Sequence, residues 1–136
     1  MIEPTSNKIA HLEMIMELYK TIVESSQNVK QWAISLITVF LALSTQENGT
    51  IISRISFFPI LLFWIIEARC LFREKLILAH YNQVRMLNES EIDFNLDYYK
   101  HQDKIGHWVQ YLVDRGVLSF NASLIAGVIL LDWLIK

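Results

Sequence analysis

The chain has 136 residues, of which 53% are hydrophobic and 19% are charged, and its formal net charge is −2. A soluble domain of this length usually has a smaller apolar fraction and about a quarter of its residues charged. The near-neutral charge excludes a protein that binds duplex DNA through a broad basic face. The single cysteine, Cys70, cannot form an internal disulfide. Four glycines and two prolines favour a small, mostly helical protein.

The apolar residues are concentrated in three segments, 29–45, 51–67 and 117–135. A helix that crosses a bilayer needs about 20 mostly apolar residues, so these segments are near the short end of the usual range. Trp32 and Trp133 lie close to segment ends, where an aromatic belt would place them. The pattern predicts an all-α membrane protein with three transmembrane helices, and the alternative is a set of buried core helices.

The basic residues predict the orientation of these helices. Lys8, Lys20 and Lys30 lie before or at the start of the first segment, residues 67–116 hold most of the other basic side chains, and residues 45–50 hold none. The positive-inside rule therefore places the N-terminus and residues 67–116 in the cytoplasm, and the C-terminus outside.

An amphipathic cytoplasmic helix is predicted over about residues 5–28. Its apolar residues recur at spacings of three and four, which is typical of a coiled-coil-like seam: Ile9, Leu12, Met16, Tyr19 and Val23. No proline or glycine separates it from the first membrane segment, so one helix could run from about residue 6 to 45. The seam either packs on the protein's own second helix or self-associates around an oligomer axis.

Residues 68–116 are predicted to form a cytoplasmic helical region. The second membrane helix continues without a breaker up to Asn88, and residues 92–115 are predicted as a short loop and an interfacial helix. Charged residues crowd the membrane boundary: Glu67, Arg69, Arg73, Glu74 and Lys75. They either anchor the helix in the interface or form a charged ring at the inner mouth of a pore.

The third segment carries two different faces. Small residues on one face permit close helix packing: Ala122, Ser123, Ala126 and Gly127. Asn121 and Asp132 are eleven residues apart and, at about 100° per residue, share the opposite face with Val128. These three residues are the pore-lining candidates, because intramembrane polar residues tend to face a bundle interior or water. For Asp132, anchoring in the outer headgroups is the alternative.

Motifs for catalysis are absent from the sequence. The four histidines do not show metal-ligand spacing, and the sequence has neither a glycine-rich phosphate loop nor a G-x-S-x-G nucleophile motif. We therefore expect a protein that is not an enzyme and that binds no metal or cofactor.

The stretch around the end of the second segment resembles a group of small bacterial membrane proteins. Their pattern is close to F-W-x-L-D-A-x-x-L-x-x-E-R-x-F-x-x-x-Y-D-x-V-R, followed by D-F-S-M-D. The matching residues here are Phe63, Trp64, Ile66, Glu67, Ala68, Leu71, Glu74, Lys75, Ile77, Tyr81, Asn82, Val84, Arg85 and Asp93-Phe94-Asn95-Leu96-Asp97. Glu67 replaces Asp, Lys75 replaces Arg and Asn82 replaces Asp of that pattern.

The arrangement of helices is also similar to SLATT-type membrane effectors and to the channel domain of the Hailong anti-phage effector. In such systems a nucleotidyltransferase makes a nucleotide or oligonucleotide signal that controls a pore-forming partner. The resemblance implies a pore or ion channel of the bacterial inner membrane, acting in abortive-infection-like defence and gated by such an enzyme or its product. We expect a homo-oligomer, with a tetramer favoured, because three short segments with polar faces cannot satisfy themselves alone. The alternative is a non-conducting membrane adaptor whose cytoplasmic helices recruit a soluble partner.

Overall fold

Three long helices and a chain of short helical turns make up the fold. The computed structural model describes residues 6–47 and 49–136, and these residues contain no strand, so the all-α prediction is confirmed. The α-helices are α1 (Ser6–Leu43), α2 (Gly49–Ile55), α3 (Phe57–Arg85), α4 (Gln102–Ile105) and α5 (Arg115–Ile135). The 3₁₀ turns are Glu89–Glu91, Tyr99–His101 and Trp108–Val113.

Helix α1 is continuous, as the absence of a breaker predicts. Its first turn is held by Glu89, which lies in the 3₁₀ turn after α3. The Glu89 carboxylate accepts hydrogen bonds from the backbone N–H groups of Asn7 (3.0 Å) and Lys8 (3.3 Å). A carboxylate there satisfies two N–H groups that have no partner within the helix and complements the helix dipole.

Helices α1 and α3 are antiparallel neighbours that pack along most of their length. At one end Ile15 packs in a buried cluster with Ile77 and Val84, and at the other end Ile37 is buried against Ile60. Leu12 and Tyr19 of the predicted seam pack on the first cluster. That part of the seam therefore packs on the protein's own second helix, whereas Ile9 is exposed.

The second predicted helix has a short interruption. Helix α2 ends at Ile55, and α3 begins at Phe57, with Ser56 between them. Pro59 lies in the first turn of α3, where its missing N–H removes no intrahelical hydrogen bond. The proline therefore accounts for a new helix start inside an otherwise unbroken apolar run.

Two stretches are long and apolar enough to cross a membrane by length and composition: Thr50–Arg85, formed by α2 and α3, and Arg115–Ile135. Only 33% and 11% of their most apolar windows are buried inside the subunit. This low burial does not fit the core helices of a soluble domain, which are mostly buried. The finding agrees with membrane association, and the third crossing, through residues 29–45 of α1, stays a prediction.

The segment between α3 and α5 differs from the predicted loop and single interfacial helix. It consists of short turns because several residues stop each helix early. Gly106 has a φ of +89°, a conformation that suits glycine, and ends α4. Asp114 is extended and accepts a hydrogen bond from the Gly116 N–H (3.2 Å), so it begins α5 as a new helix.

Candidate functional site: a buried polar junction and a histidine cluster

An ion pair joins α1 to α3 where the apolar part of each helix meets its charged part. The Lys30 Nζ lies 3.1 Å from Glu67 Oε1, and the Glu67 side chain is only 4% exposed while that of Lys30 is 40% exposed. The Lys30 ammonium also lies 5.6 Å from the centre of the Phe120 ring of α5. This geometry brings the ammonium within reach of both α3 and α5.

Asn121 of α5 completes the arrangement from the third long helix. Its Nδ2 donates to Glu67 Oε2 (2.8 Å) and to the Val117 carbonyl (2.9 Å). Glu67 therefore uses one carboxylate oxygen for α1 and the other for α5. We call Lys30, Glu67 and Asn121 the polar junction.

Burial of the polar junction costs free energy unless its members pair with one another. A buried carboxylate loses its hydration, and the loss is tolerated only when charged and hydrogen-bonding partners replace the water. The Oδ1 atom of Asn121 is buried and has no hydrogen-bond partner among the described residues. The junction therefore keeps one unused acceptor in the interior.

A small cavity of about 120 Å³ adjoins the polar junction. Its polar lining consists of Ser26, Lys30, Glu67, Glu74 and Asp114. Burial raises the pKa of Glu74, and the nearby Lys30 and Lys75 charges oppose that rise. The cavity is therefore a polar, mainly acidic space beside the junction.

The five charged residues predicted as one inner-mouth cluster are divided between two sides of α3. Glu67 and Glu74 line the cavity beside α1. Arg69 stacks over the Trp108 ring at 5.2 Å, and Arg73 shares its groove. Lys75 is exposed. At about 100° per residue, positions 67 and 74 share a face, and positions 69 and 73 lie on the other side.

Within the subunit, the two faces of α5 have different surroundings. The pore-lining candidates Asn121 and Val128 are fully buried against the other helices, because Asn121 finds its partner in Glu67. Asp132 is half-buried and pairs with Lys136 (3.0 Å). Whether this face meets an aqueous path in an assembly stays a prediction.

The small residues of α5 point away from α1 and α3. We call Ala122, Ser123, Ala126 and Gly127 the small-residue face. The first three are exposed, and a Cβ atom added at Gly127 would meet nothing within 4 Å. The face is therefore not used for packing inside the subunit, and its role in packing between subunits stays a prediction.

Three buried histidines form a second polar cluster, at the far end of the α1–α3 pair. The Nε2 atoms of His11 and His80 lie 2.9 and 2.7 Å from one acceptor, the Asn95 carbonyl oxygen. The His80 Nδ1 lies 3.1 Å from the His101 Nε2. We call His11, His80 and His101 the histidine cluster; it ties α1, α3 and the following loop together.

The geometry fixes where the ring protons lie. A carbonyl only accepts, so His11 and His80 each donate from Nε2. In the neutral network His80 then accepts at Nδ1 from the Nε2–H of His101. A proton added at His80 Nδ1 would require His101 to move its own proton to Nδ1, so that its Nε2 could accept.

Burial lowers the pKa of both His80 and His101. For His80, the hydrogen bond to Asn95 and the Asp93 charge raise the pKa, whereas Lys100 and His11 lower it. For His101, the neighbouring His80 is the second largest cause of the lowering. Burial and the neighbouring groups thus disfavour the protonated forms of His80 and His101.

The loop that positions the Asn95 carbonyl is the Asp93–Asp97 stretch of the matched sequence pattern. The Asp93 side chain accepts from the Asn95 N–H (3.0 Å), and the Asn95 side chain accepts from the Asp97 N–H (2.9 Å). Phe94 has a φ of +53° and packs its ring 5.5 Å from that of His11. In each of these two consecutive turns a side chain accepts from the N–H group two residues later. Together they direct the Asn95 carbonyl oxygen toward His11 and His80.

Sequence reasoning treated each histidine alone and missed the cluster. The available signal was the pairing of a D-F-x-x-D stretch with histidines on both flanking helices. Within the described ranges, no group of three or more His, Cys, Asp or Glu side chains could hold a metal ion. The cluster is a hydrogen-bonded network of three imidazole rings and the Asn95 carbonyl oxygen.

Comparisons with models of protein families, with curated proteins and with solved structures found no match. The function proposed below therefore rests on the residues of this chain and on the resemblance of their pattern.

Proposed function

We propose that the chain is one subunit of a homo-oligomeric pore of the bacterial inner membrane, whose opening dissipates ion gradients in an anti-phage response. The carrying observation is the polar junction, in which Lys30, Glu67 and Asn121 join three apolar helices through a buried ion pair. Ionisable residues inside membrane segments are rare, face the bundle interior or water, and mark ion pathways.

The positions of the junction residues support three membrane crossings. Lys30 lies at the start of segment 29–45, Glu67 at the end of segment 51–67 and Asn121 near the start of segment 117–135. In a three-crossing topology with a cytoplasmic N-terminus, all three positions lie on the cytoplasmic side. Their mutual contacts fit that topology.

The surface of the apolar half of the subunit supports its placement in lipid. Large apolar side chains there are exposed on all three helices, with Trp32, Phe58 and Trp133 each 72% exposed. Soluble monomers rarely expose a contiguous apolar area of this extent. Lipid and further copies of the chain are the surroundings that suit it.

An assembly is required because three helices cannot enclose a water-filled path. The small-residue face of α5 is free in the subunit and permits close approach of a second helix backbone. We propose a tetramer in which this face contributes contacts between subunits.

The cytoplasmic part is proposed to receive a signal that raises the open probability of the pore above its resting value. The first half of α1 and the second half of α3 form one packed unit, closed by the histidine cluster and the Asp93–Asp97 loop. The resemblance to SLATT-type effectors suggests a nucleotidyltransferase, or its nucleotide or oligonucleotide product, as the partner that acts on this unit.

Ion flux from liposomes tests the proposal. The purified chain is reconstituted in vesicles loaded with potassium, and membrane potential is followed in cells that overexpress it. We expect potassium release and depolarisation, both lost in Glu67→Ala and retained in Glu91→Gln, which changes an exposed carboxylate outside the junction. Assembled protein that neither conducts in vesicles nor depolarises cells would contradict the proposal.

One observation favours a membrane adaptor as a second candidate. Ile9, Leu12, Met16 and Tyr81 line an open apolar groove on the first half of α1. A helix from a soluble partner could occupy it, as amphipathic helices do in hydrophobic grooves. An adaptor predicts partner binding that Ile9→Asp abolishes, with no ion flux under any condition.

A further inference from the structure

The face of α1 that points away from α3 carries a line of polar and small side chains through the apolar half of the helix. Gln31, Ser35, Thr38 and Ala42 recur at spacings of four, three and four, and all four are exposed. At about 100° per residue they project within about 60° of one another. We call these four residues the polar stripe.

The polar stripe is not part of the packing inside the subunit. The buried residues of this half of α1 are Ala33 and Ile37, which face α3 on the opposite side of the helix. Thr38 satisfies its hydroxyl within α1 by donating to the Ile34 carbonyl (2.7 Å). Gln31 and Ser35 line an open hollow at the surface.

Large apolar side chains border the polar stripe on both sides. Ile34 lies on one side and Val39 on the other, about 48% and 55% exposed, and Trp32 lies beside Val39. A narrow polar line between two apolar borders suits a helix whose neighbours on each side are copies of itself. The borders would contact those copies, and the stripe would face the space that the copies enclose.

The first half of α1 continues the same line with charged residues. Glu13, Glu17, Lys20 and Glu24 are exposed and fall on the direction of the polar stripe at the same helical spacing. Three carboxylates accompany one ammonium, so the potential along this face is negative. A negative potential at the mouth of a pore raises the local concentration of cations.

We infer that the polar stripe of α1 lines the conduction path of the oligomer, around an axis formed by second copies of the same helix, and that the carboxylates before it select small cations. This inference rests on the proposed function, because it assigns the wall of the proposed pore. It also explains why α1 is not among the two stretches apolar enough to pass as membrane spans: a wall that faces water needs polar residues.

Cysteine accessibility tests the inference. The only native cysteine is removed by Cys70→Ser, and Ser35→Cys and Thr38→Cys are introduced singly in that background. Val39→Cys is the matched control, because Val39 is the neighbour of Thr38 but points about 100° away. Each protein is recorded in planar bilayers while a positively charged, membrane-impermeant thiosulfonate reagent is added.

We expect the reagent to remove most of the current in Ser35→Cys and Thr38→Cys and to leave the current of Val39→Cys unchanged. Unblocked currents in both stripe variants, or equal block in Val39→Cys, would overturn the inference while leaving the proposed function standing. A Cys70→Ser parent that assembles but carries no current would overturn the proposed function and the inference together.

A second variant covers the case in which the cysteine variants do not assemble. Glu24→Gln changes one exposed carboxylate of the line, and Asp103→Asn changes an exposed carboxylate of α4 outside it. In a potassium chloride gradient, we expect the reversal potential to move toward zero in Glu24→Gln and to stay at the parent value in Asp103→Asn. Equal reversal potentials in all three proteins would overturn the assignment of the path to α1.

Discussion

Glu67 and Asn121 are 54 positions apart in the chain, and a 2.8 Å hydrogen bond joins their buried side chains. The bond links the two stretches that are apolar enough to cross a membrane. The other Glu67 carboxylate oxygen pairs with the Lys30 ammonium, which belongs to the third long helix, α1. One carboxylate of α3 thus contacts side chains of both other long helices.

Removal of that carboxylate should destabilise the subunit. For Glu67→Ala we expect a loss of about 2–3 kcal/mol in the free energy of unfolding, at the low end for a broken buried pair because Lys30 can reach water. Unfolding in mixed micelles of mild detergent and dodecyl sulfate measures it. Glu24→Gln, at an exposed position, serves as the control.

A double-mutant cycle separates the Glu67–Asn121 bond from other effects. We expect a coupling free energy of about 1.5 kcal/mol between Glu67→Ala and Asn121→Ala, as is usual for a hydrogen bond to a charged group. Strictly additive losses would show that the two side chains do not interact in the assembled protein.

The histidine cluster should make stability depend on pH. An unfolded histidine titrates near pH 6.5, and burial lowers the pKa of His80 and His101 in the folded chain. Between the two pKa values the unfolded chain binds more protons than the folded chain. The free energy of unfolding therefore has its full value above about pH 6.5. It decreases as the pH falls below that value and through the folded pKa values of the two histidines.

Unfolding measured between pH 7.5 and pH 5 checks this dependence. His80→Gln should lower the stability at neutral pH and flatten the slope, because it removes a neutral ring that resists protonation. His107→Gln changes an exposed histidine and should leave the slope unchanged. A slope that His80→Gln does not alter would assign the pH dependence to other groups.

The small-residue face should matter for assembly and not for the fold of the subunit. Gly127→Leu adds a side chain where the subunit leaves open space, so helix content should stay at the wild-type value. Between subunits the same side chain would hold two backbones apart. We expect a lower assembled fraction in size-exclusion chromatography.

Leu118→Phe is the matched control for that experiment, since Leu118 is exposed on α5 and projects about 180° away from Gly127. It should assemble as the wild-type chain does. Normal assembly of Gly127→Leu would mean that another surface joins the subunits.

The Glu89 carboxylate should stabilise the beginning of α1 locally. Glu89→Ala removes the acceptor for two backbone N–H groups, and we expect a loss of about 1 kcal/mol. Hydrogen exchange should become faster in the first turn of α1 and stay unchanged in α5. Ser90→Ala, at an exposed neighbour, is the control.

Helix positions could be predicted from the sequence because they depend on local features. The spacing of apolar residues and the lack of breakers indicate a single helix close to the observed Ser6–Leu43. The interruption at Ser56 was not predicted, although Pro59, two positions after Phe57, suits the first turn of a helix. The turns after Asn88 could not be predicted, because their hydrogen bonds depend on side chains that face other segments.

The partners of the polar residues could not be predicted in the same way. Helical spacing places Asn121 and Val128 on one face, as observed, but it does not say whether that face meets water or another helix of the chain. In the structure Asn121 of this face contacts Glu67 of α3. That contact depends on how α3 and α5 are positioned in three dimensions. The histidine cluster likewise forms only after α1, α3 and the loop have come together.

The mass of the protein in lipid nanodiscs and in mild detergent tests the homo-oligomeric pore, because a single copy has too few helices to surround a path for ions. Light scattering should give the mass of several chains, with four as the expected number, in both environments. The mass of one chain in both, at every concentration measured, would contradict a homo-oligomeric pore.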